Sequence, residues 1–401
     1  MWQLFCEKNP DLKVSKSFYW NHFKTNFNLW FGRPQVGTCC TCEELNLRLK
    51  SPHLNNVAKK AGQTDLDVHN HRSNKFFNAL KHETSENGLN EEHILSLAFD
   101  YVKTISLLKI PVQQLYYMRH LSVNIFSIHN IKEEKSHVYI YHEGQGRKGS
   151  NEVATFLNDY LISVPSKYNT LRLFCDNCSG QNKNQTLSRF CLYLTDSGRF
   201  DKVKQFFPIR GHSFLPCDRD FGIISSVLKT HDRLYHMHQL TELIISSSRS
   251  QKFTVKEIVD ATEFFDFKAW SSKHYKKSCI SSETKGKNTS KEKKVHFSIS
   301  NLFHFVYEHD KKGYIKAFTN INGLVCHFTF FMSKHMGTVA QVDSLAYPSG
   351  KVTLKKAKVE DLNKLKEFIP EEFNEFYNEL YSWPTNECEI LPDSDFEEEL
   401  D

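Results

Sequence analysis

The sequence predicts an α/β fold in which one mixed β-sheet carries helices on its faces. Three observations point to it. Short apolar, β-branched and aromatic runs begin at residue 93 and recur to about residue 207. The first three, "ILSLAFDYV", "QLYYMRHLSVNIFSIHNI" and "SHVYIYHEG", follow one another with no helical pattern between them. The later ones, "TLRLFCD" and "VKQFFPI", are separated by amphipathic stretches of helical period. Consecutive strands form an antiparallel meander, whereas a helix between strands returns the chain for parallel pairing.

Each element has a local reason. The second and third strands are joined by the polar turn "KEEK". "GSNEVATFLNDYLISV" puts Val153, Phe156, Leu157, Tyr160 and Leu161 on one helical face, with Ser150 or Asn151 as cap. "NQTLSRFCLYLTDSG" is a helix ended by Gly198. "DFGIISSVLKTH" and "TELIISSSR" are helical or partly so. The order over residues 93–250 is therefore β-ββ-α-β-α-β-α, the element order of a ribonuclease-H-like fold.

This core, assigned to 93–280, has flanks of different character. Residues 1–92 are polar, His-rich and helical in pattern, with "SKSFYWNHFKTNF" and "LDVHNHRSNKFFNAL" as helices. The stretch 281–294 is Lys-rich and reads as a linker or exposed loop. Residues 295–392 return to alternating strands and close with a helical pair around Pro370; 393–401 form an acidic tail. The chain opens directly in a helical pattern, as an N-terminally truncated gene product would.

Composition narrows the class. With 401 residues, 39% hydrophobic and 13% aromatic, the chain can bury a large core. The net charge of +5 permits contact with nucleic acid without demanding it. An odd count of 11 Cys without regular spacing argues against a secreted disulfide framework. The expected location is nuclear, with cytoplasmic as the alternative. No apolar run is long enough for a membrane-spanning helix.

Four acids stand where such a core would need them: Asp100 in the first strand, Glu152 in the first turn of the crossover helix, Asp176 after the fourth strand, and Asp218 after the fifth. Neighbouring carboxylates repel unless a cation sits between them. Two Mg²⁺ or Mn²⁺ ions would relieve that repulsion and suit hard oxygen ligands. The plain alternative is capping: Asp176 and Glu152 both precede or open helices, where carboxylates satisfy free N–H groups. Asp220 competes with Asp218 for the last position. His212, in "RGHSF", is placed to position water, take a proton or contact phosphate, or else is a turn histidine. Asn182, Lys183 and Asn184 at a helix start, with Arg210, suit phosphate contact; a solvated helix end is the alternative.

The blocks "YHEGQGRKGSNEVATFLNDYL", "FCDNCSGQNKNQTLSRF" and "FPIRGHSFLPCDRDFG" resemble, in that order, the hallmarks of an uncharacterised domain family found mostly in transposon-derived animal proteins. That family is similar to ribonuclease-H-like, DDE-type transposase or integrase cores. The resemblance implies Asp100, Asp176 and Asp218 as an acidic triad, Glu152 as a fourth acid, His212 at the Gly-His-Ser/Thr position, DNA as partner and a homo-oligomer as one assembly. An integrase-like core ends with Glu on a helix, whereas Asp218 reads here as a loop residue. Decayed or domesticated members make a DNA-binding protein with a dead core the alternative to an active nuclease.

"TCCTC" adds a Cys39-x2-Cys42 pair, and "DVHNH" adds His69 and His71, with His53 between. Two thiolates and two imidazoles would hold a tetrahedral zinc and organise the helical front segment. Free buried thiols are the alternative. A Cys/His hydrolase built on Cys178, His212 and Asp218 is a third reading, but Cys178 lies in an amide-rich turn without a nucleophile-elbow signature.

Overall fold

The structure is a computed structural model that describes all residues except 1, 11, 13, 27–38, 283–291, 297, 324–326, 335–338 and 388–401. It divides into two compact units, 1–38 and 39–401. In the first, α1 (Trp2–Lys8) and α2 (Lys16–Asn26) are joined by a bond from the Trp2 indole to the Val14 carbonyl and by packing of Phe5 on Tyr19.

The second unit opens with α3 (Cys40–Leu49), the long α4 (Asn56–Glu83) and the single turn α5 (Glu86–Leu89). Asn55 and Ser85 start the latter two, each accepting a free backbone N–H. The meander follows: β1 (Ile94–Tyr101), the short β2 (Ile105–Leu107), β3 (Leu121–Asn130) and β4 (Lys135–His142). Then come α6 (Ser150–Ser163), β5 (Thr170–Phe174), α7 (Gln185–Asp196), β6 (Lys202–Phe206), α8 (Pro216–Thr230), α9 (Met237–Ser246) and β7 (Phe253–Glu257). Gly198, at φ +79°, ends α7 in the left-handed conformation that favours glycine.

Within this stretch the strand order is β7-β4-β3-β1-β5-β6. β1 is antiparallel to β3, β3 to β4, while β5 and β6 run parallel to β1. The sheet does not stop at β6. After α10 (Phe267–His274) the chain forms β8 (Tyr275–Ser282), β9 (Glu292–His296), β10 (His304–Glu308), β11 (Tyr314–Phe318) and β12 (His327–Ser333). β10 pairs with β6, and the order continues β10-β11-β12-β8-β9. The Lys-rich stretch thus has paired strands on both sides: 281–282 belong to β8 and 292–294 to β9, with 283–291 outside the described residues. The strands after 295 extend the same sheet. α11 (Lys356–Lys364) and α12 (Asn374–Tyr381) close the described chain.

Strand alternation sorts the core into two layers. Leu95, Leu97, Phe99, Tyr139, Leu171 and Leu173 face one side, where α6, α7 and α10 pack. Ala98, Val123, Ile125, Val138, Phe174 and Phe206 face the other, covered by α8, α9, Phe76 of α4 and the C-terminal helices. This mixed α/β architecture, with helices on both faces of a large sheet, is the one the alternation of strands and helices implies. Among the described residues no helix is long and apolar enough to cross a membrane.

Candidate functional site

Two side-chain clusters lie on the second face, where β1 and β5 end. The first is acidic. Ala98 of β1 is registered with Phe174 of β5 in parallel pairing. Two residues further along each strand direction stand Asp100 and Asp176, so the pleat turns both toward the α8 side. Asp218 reaches them from α8. It lies in the first helical turn, not in the loop expected from sequence, because Pro216 opens the helix and the Asp218 carboxylate accepts the Leu215 N–H at 2.7 Å. The Cys217 thiol donates to the Ala98 carbonyl at 3.4 Å, pinning this turn to β1.

The three carboxylates are half-buried and feel one another. The Asp100 carboxyl is pushed up to about 8, by burial first, then by the charges of Asp176 and Asp218. Asp176 is raised by burial against hydrogen bonds from Asn182 and Cys178 and the charge of Arg210. Asp218 is raised by burial and by Asp176. Each spends only one oxygen on hydrogen bonds: Asp100 Oδ1 on the Tyr101 N–H (2.7 Å), Asp176 Oδ1 on the Cys178 N–H (3.1 Å) and Asn182 Nδ2 (2.6 Å), and Asp218 Oδ2 on Leu215. The other oxygen of each is left for a ligand among the described residues. The three do not close to within 4.8 Å of one another as the metal-type clusters do.

Other residues expected at this site have different work. Glu152 stands on α6, on the opposite face of the sheet. Its oxygens accept the N–H groups of Arg147 and Gly149 at 3.0 Å each and the Tyr347 hydroxyl, so it caps α6 and is fully buried. Asp220 is buried with Lys252 (2.6 Å), His129 (2.8 Å) and Ser136. Lys183 is buried, not phosphate-facing: its Nζ donates to the Ser300 carbonyl at 2.7 Å over the Phe303 ring, and burial lowers its pKa to about 7. Asn184 caps α7 through the Leu187 N–H. Asn182 is buried and holds Asp176. Arg210 is exposed, and its charge reaches Asp176. Sequence reasoning missed Lys148. It is half-buried, with Nζ on the carbonyl of Val102 (3.1 Å) and on the Thr104 hydroxyl (3.3 Å), and its charge favours ionised Asp100. Its signal was the Arg147–Lys148 pair in "GRKGS", between a strand end and a helix start.

The second cluster is Cys39, Cys42, His69 and His212, whose donor atoms all lie within 4.8 Å of one another. His212 comes here in place of His71. Residues i and i+2 of a helix point about 200° apart, so α4 cannot turn both His69 and His71 to one metal. His71 is exposed and lines an open cleft with Asp67, Arg72 and Lys75. His53 is exposed and outside the cluster. The His212 Nε2 lies 3.3 Å from Cys42 Sγ and 3.1 Å from His69 Nε2, turned toward the Cys/His cluster. The Cys178 thiol is raised by burial and by Asp176, which disfavours the thiolate that a Cys/His hydrolase would need.

Residues 114–304 match a domain of unknown function, DUF7869. The DUF7869 match takes in Lys148, Asp176, His212 and Asp218 and begins after Asp100 and the Cys39–His69 segment. No curated protein and no solved structure matches the chain.

Proposed function

We propose that the chain is a transposase-type, metal-dependent phosphodiesterase acting on DNA, built on a ribonuclease-H-like core of β1 and β3–β6. The order β4-β3-β1-β5-β6, three antiparallel strands followed by two parallel ones, supports the core assignment. The observation that carries the activity is the acid set itself: three half-buried carboxylates at adjacent strand ends and a helix start, each with one oxygen free among the described residues and each raised by burial, Asp100 and Asp218 also by the charge of Asp176. Such an arrangement is costly without a cation and fits Mg²⁺ or Mn²⁺, which prefer carboxylate oxygen. Bound there as a pair, one ion would activate a water or 3′-hydroxyl and the other would stabilise the leaving oxygen. Asp100, Asp176 and Asp218 would hold them. Asn182 fixes the Asp176 rotamer, and Lys148 and Arg210 supply positive charge for the scissile phosphate.

The test is nicking of supercoiled plasmid by purified full-length protein with Mg²⁺, Mn²⁺ or EDTA. Metal-dependent cleavage that falls at least ~100-fold in Asp176→Ala is expected. Cleavage retained by Asp176→Ala refutes the assignment. Salt-sensitive DNA binding without cleavage, unchanged by loss of the acids, would instead identify a non-catalytic DNA-binding protein.

A further inference from the structure

The Cys/His cluster joins parts of the chain far apart in sequence. Cys39 stands at the start of α3 and Cys42 in its first turn, His69 in the middle of α4, and His212 in the turn between β6 and α8. Cys39 Sγ is 3.2 Å from His69 Nε2, His69 Nε2 is 3.1 Å from His212 Nε2, and His212 Nε2 is 3.3 Å from Cys42 Sγ. An imidazole nitrogen offers a single in-plane proton or lone pair. Yet each of these Nε2 atoms faces both a sulfur and the other nitrogen. Direct hydrogen bonds cannot serve that arrangement well, whereas one central cation serves all four donors.

We propose that Cys39, Cys42, His69 and His212 bind one structural zinc ion, which clamps α3 and α4 to the turn that leads into Asp218. The donor set selects the metal: two sulfurs and two imidazoles in a compact four-point cluster are the ligands of tetrahedral zinc. A tetrahedron with ordinary Zn–N and Zn–S bonds has edges of about 3.3–3.8 Å, close to the contacts found. Two thiolates cancel the ion's charge, so the closed site adds no net charge to a partly buried place. The backbone is shaped for the approach. Gly211 has φ +82°, and a Cβ there would lie 2.6 Å from Cys39 Cα, so only glycine lets the His212 turn reach Cys39.

All four positions are filled by protein, which makes the ion structural and distinct in kind from the oxygen-lined acid set. His212 precedes Asp218 by six residues, with Pro216 and the Cys217–Ala98 bond between them. The zinc therefore fixes one end of the segment whose other end carries the third acid.

The test is metal content of the full-length protein by plasma mass spectrometry, with Co²⁺ substitution as a spectroscopic probe. About one zinc per chain is expected, with the intense visible d–d bands of tetrahedral cobalt after exchange. Cys42→Ser and His212→Ala should each lower retained zinc at least ~10-fold, while His71→Ala keeps it. If His212→Ala does not fold, His212→Cys keeps four-fold ligation and should retain zinc with shifted cobalt bands. Metal-free wild type, zinc lost from His71→Ala, or full zinc with an unchanged cobalt spectrum in His212→Ala or His212→Cys would each overturn the assignment.

Discussion

Asp100 shows how a single side chain reports on the acid set. Its folded-state pKa of about 8 lies above the ordinary 3.8, from burial and from the charges of Asp176 and Asp218. Between those two values the folded chain holds a proton that the unfolded chain has released. Stability contributed by Asp100 is therefore fully present below the ordinary value and is lost as pH rises toward 8. With discount for solvent at this half-buried site, the effect is on the order of a few kcal/mol. Asp100→Asn should raise Tm relative to wild type in EDTA, more at about pH 8 than at about pH 5, and Mg²⁺ should shrink the gap; thermal melts across pH read this directly. Lys183 is the contrasting case. With Nζ on Ser300 under the Phe303 ring, it is out of reach of phosphate, so Lys183→Met should leave DNA affinity unchanged. Arg210→Ala should weaken affinity and reduce its salt slope by about one, measured by fluorescence anisotropy at several salt concentrations. Asp100 and Asp176 stood out in the sequence because each ends an apolar run, whereas Asp218 read as a loop residue and instead opens α8. Lys183 did not: a lysine at a helix start looks the same whether its stem points to solvent or inward to Phe207 and Phe303. Lys148 was hidden for the same reason in reverse.

At the scale of elements, helix starts explain which acids stand apart. Glu152 and Asp218 occupy equivalent first-turn positions of α6 and α8, and both accept backbone N–H groups there. What separates them is the face of the sheet on which their helices pack. α6 crosses over the Leu97–Leu173 side, so Glu152 ends among Tyr101, Tyr141 and Tyr347; α8 lies on the Ala98–Phe174 side with Asp100 and Asp176. Sequence spacing carries no information about which face a crossover chooses. Glu152→Ala should therefore cost about 1–3 kcal/mol in denaturant melts by uncapping α6 and leaving buried donors unpaired, with cleavage per folded molecule unchanged. The turn between β6 and α8 makes the complementary case. At Gly211 an alanine would be strained by its positive φ and would collide with the Cys39 backbone. Gly211→Ala should destabilise by at least ~2 kcal/mol and release zinc at lower chelator concentration, read by a colorimetric zinc assay. The proposed zinc ligand set illustrates the limit of local pattern. His69 and His71 are adjacent in a His-rich stretch, but helical geometry turns them apart, and the fourth donor arrives from 143 residues downstream of His69.

For the whole molecule, the decisive feature is that the sheet continues past β6. A mixed sheet with helices on both faces was readable from the alternation of strands and helices up to residue 207. Its extension was not, because the strands after 295 carry no signal for which edge they will join. Phe305 and Tyr307 of β10 are fully buried against the α7 side of the core, and the Tyr307 hydroxyl donates to Gln205 of β6 and bonds Ser188 of α7. Without β10, β6 becomes an open edge with unpaired backbone groups and an uncovered apolar face. Residues 39–92 are equally bound in: Phe76 packs on Phe174, and Arg172 of β5 pairs with Glu83 at 2.7 Å and Glu91 at 2.9 Å. The physical unit is thus the compact 39–401 body, larger than the 93–280 core that the strand pattern delineates. A fragment of residues 93–280 should be insoluble or aggregate on size-exclusion chromatography, since it exposes β6 as an edge strand and loses the cover of residues 39–92 and of the C-terminal helices on the second face. A fragment of residues 39–387 should be soluble and melt in one cooperative transition by circular dichroism, with zinc present throughout. A soluble, monomeric 93–280 fragment with a native-like spectrum would show instead that the C-terminal strands are an appendage and that the 93–280 core closes on its own.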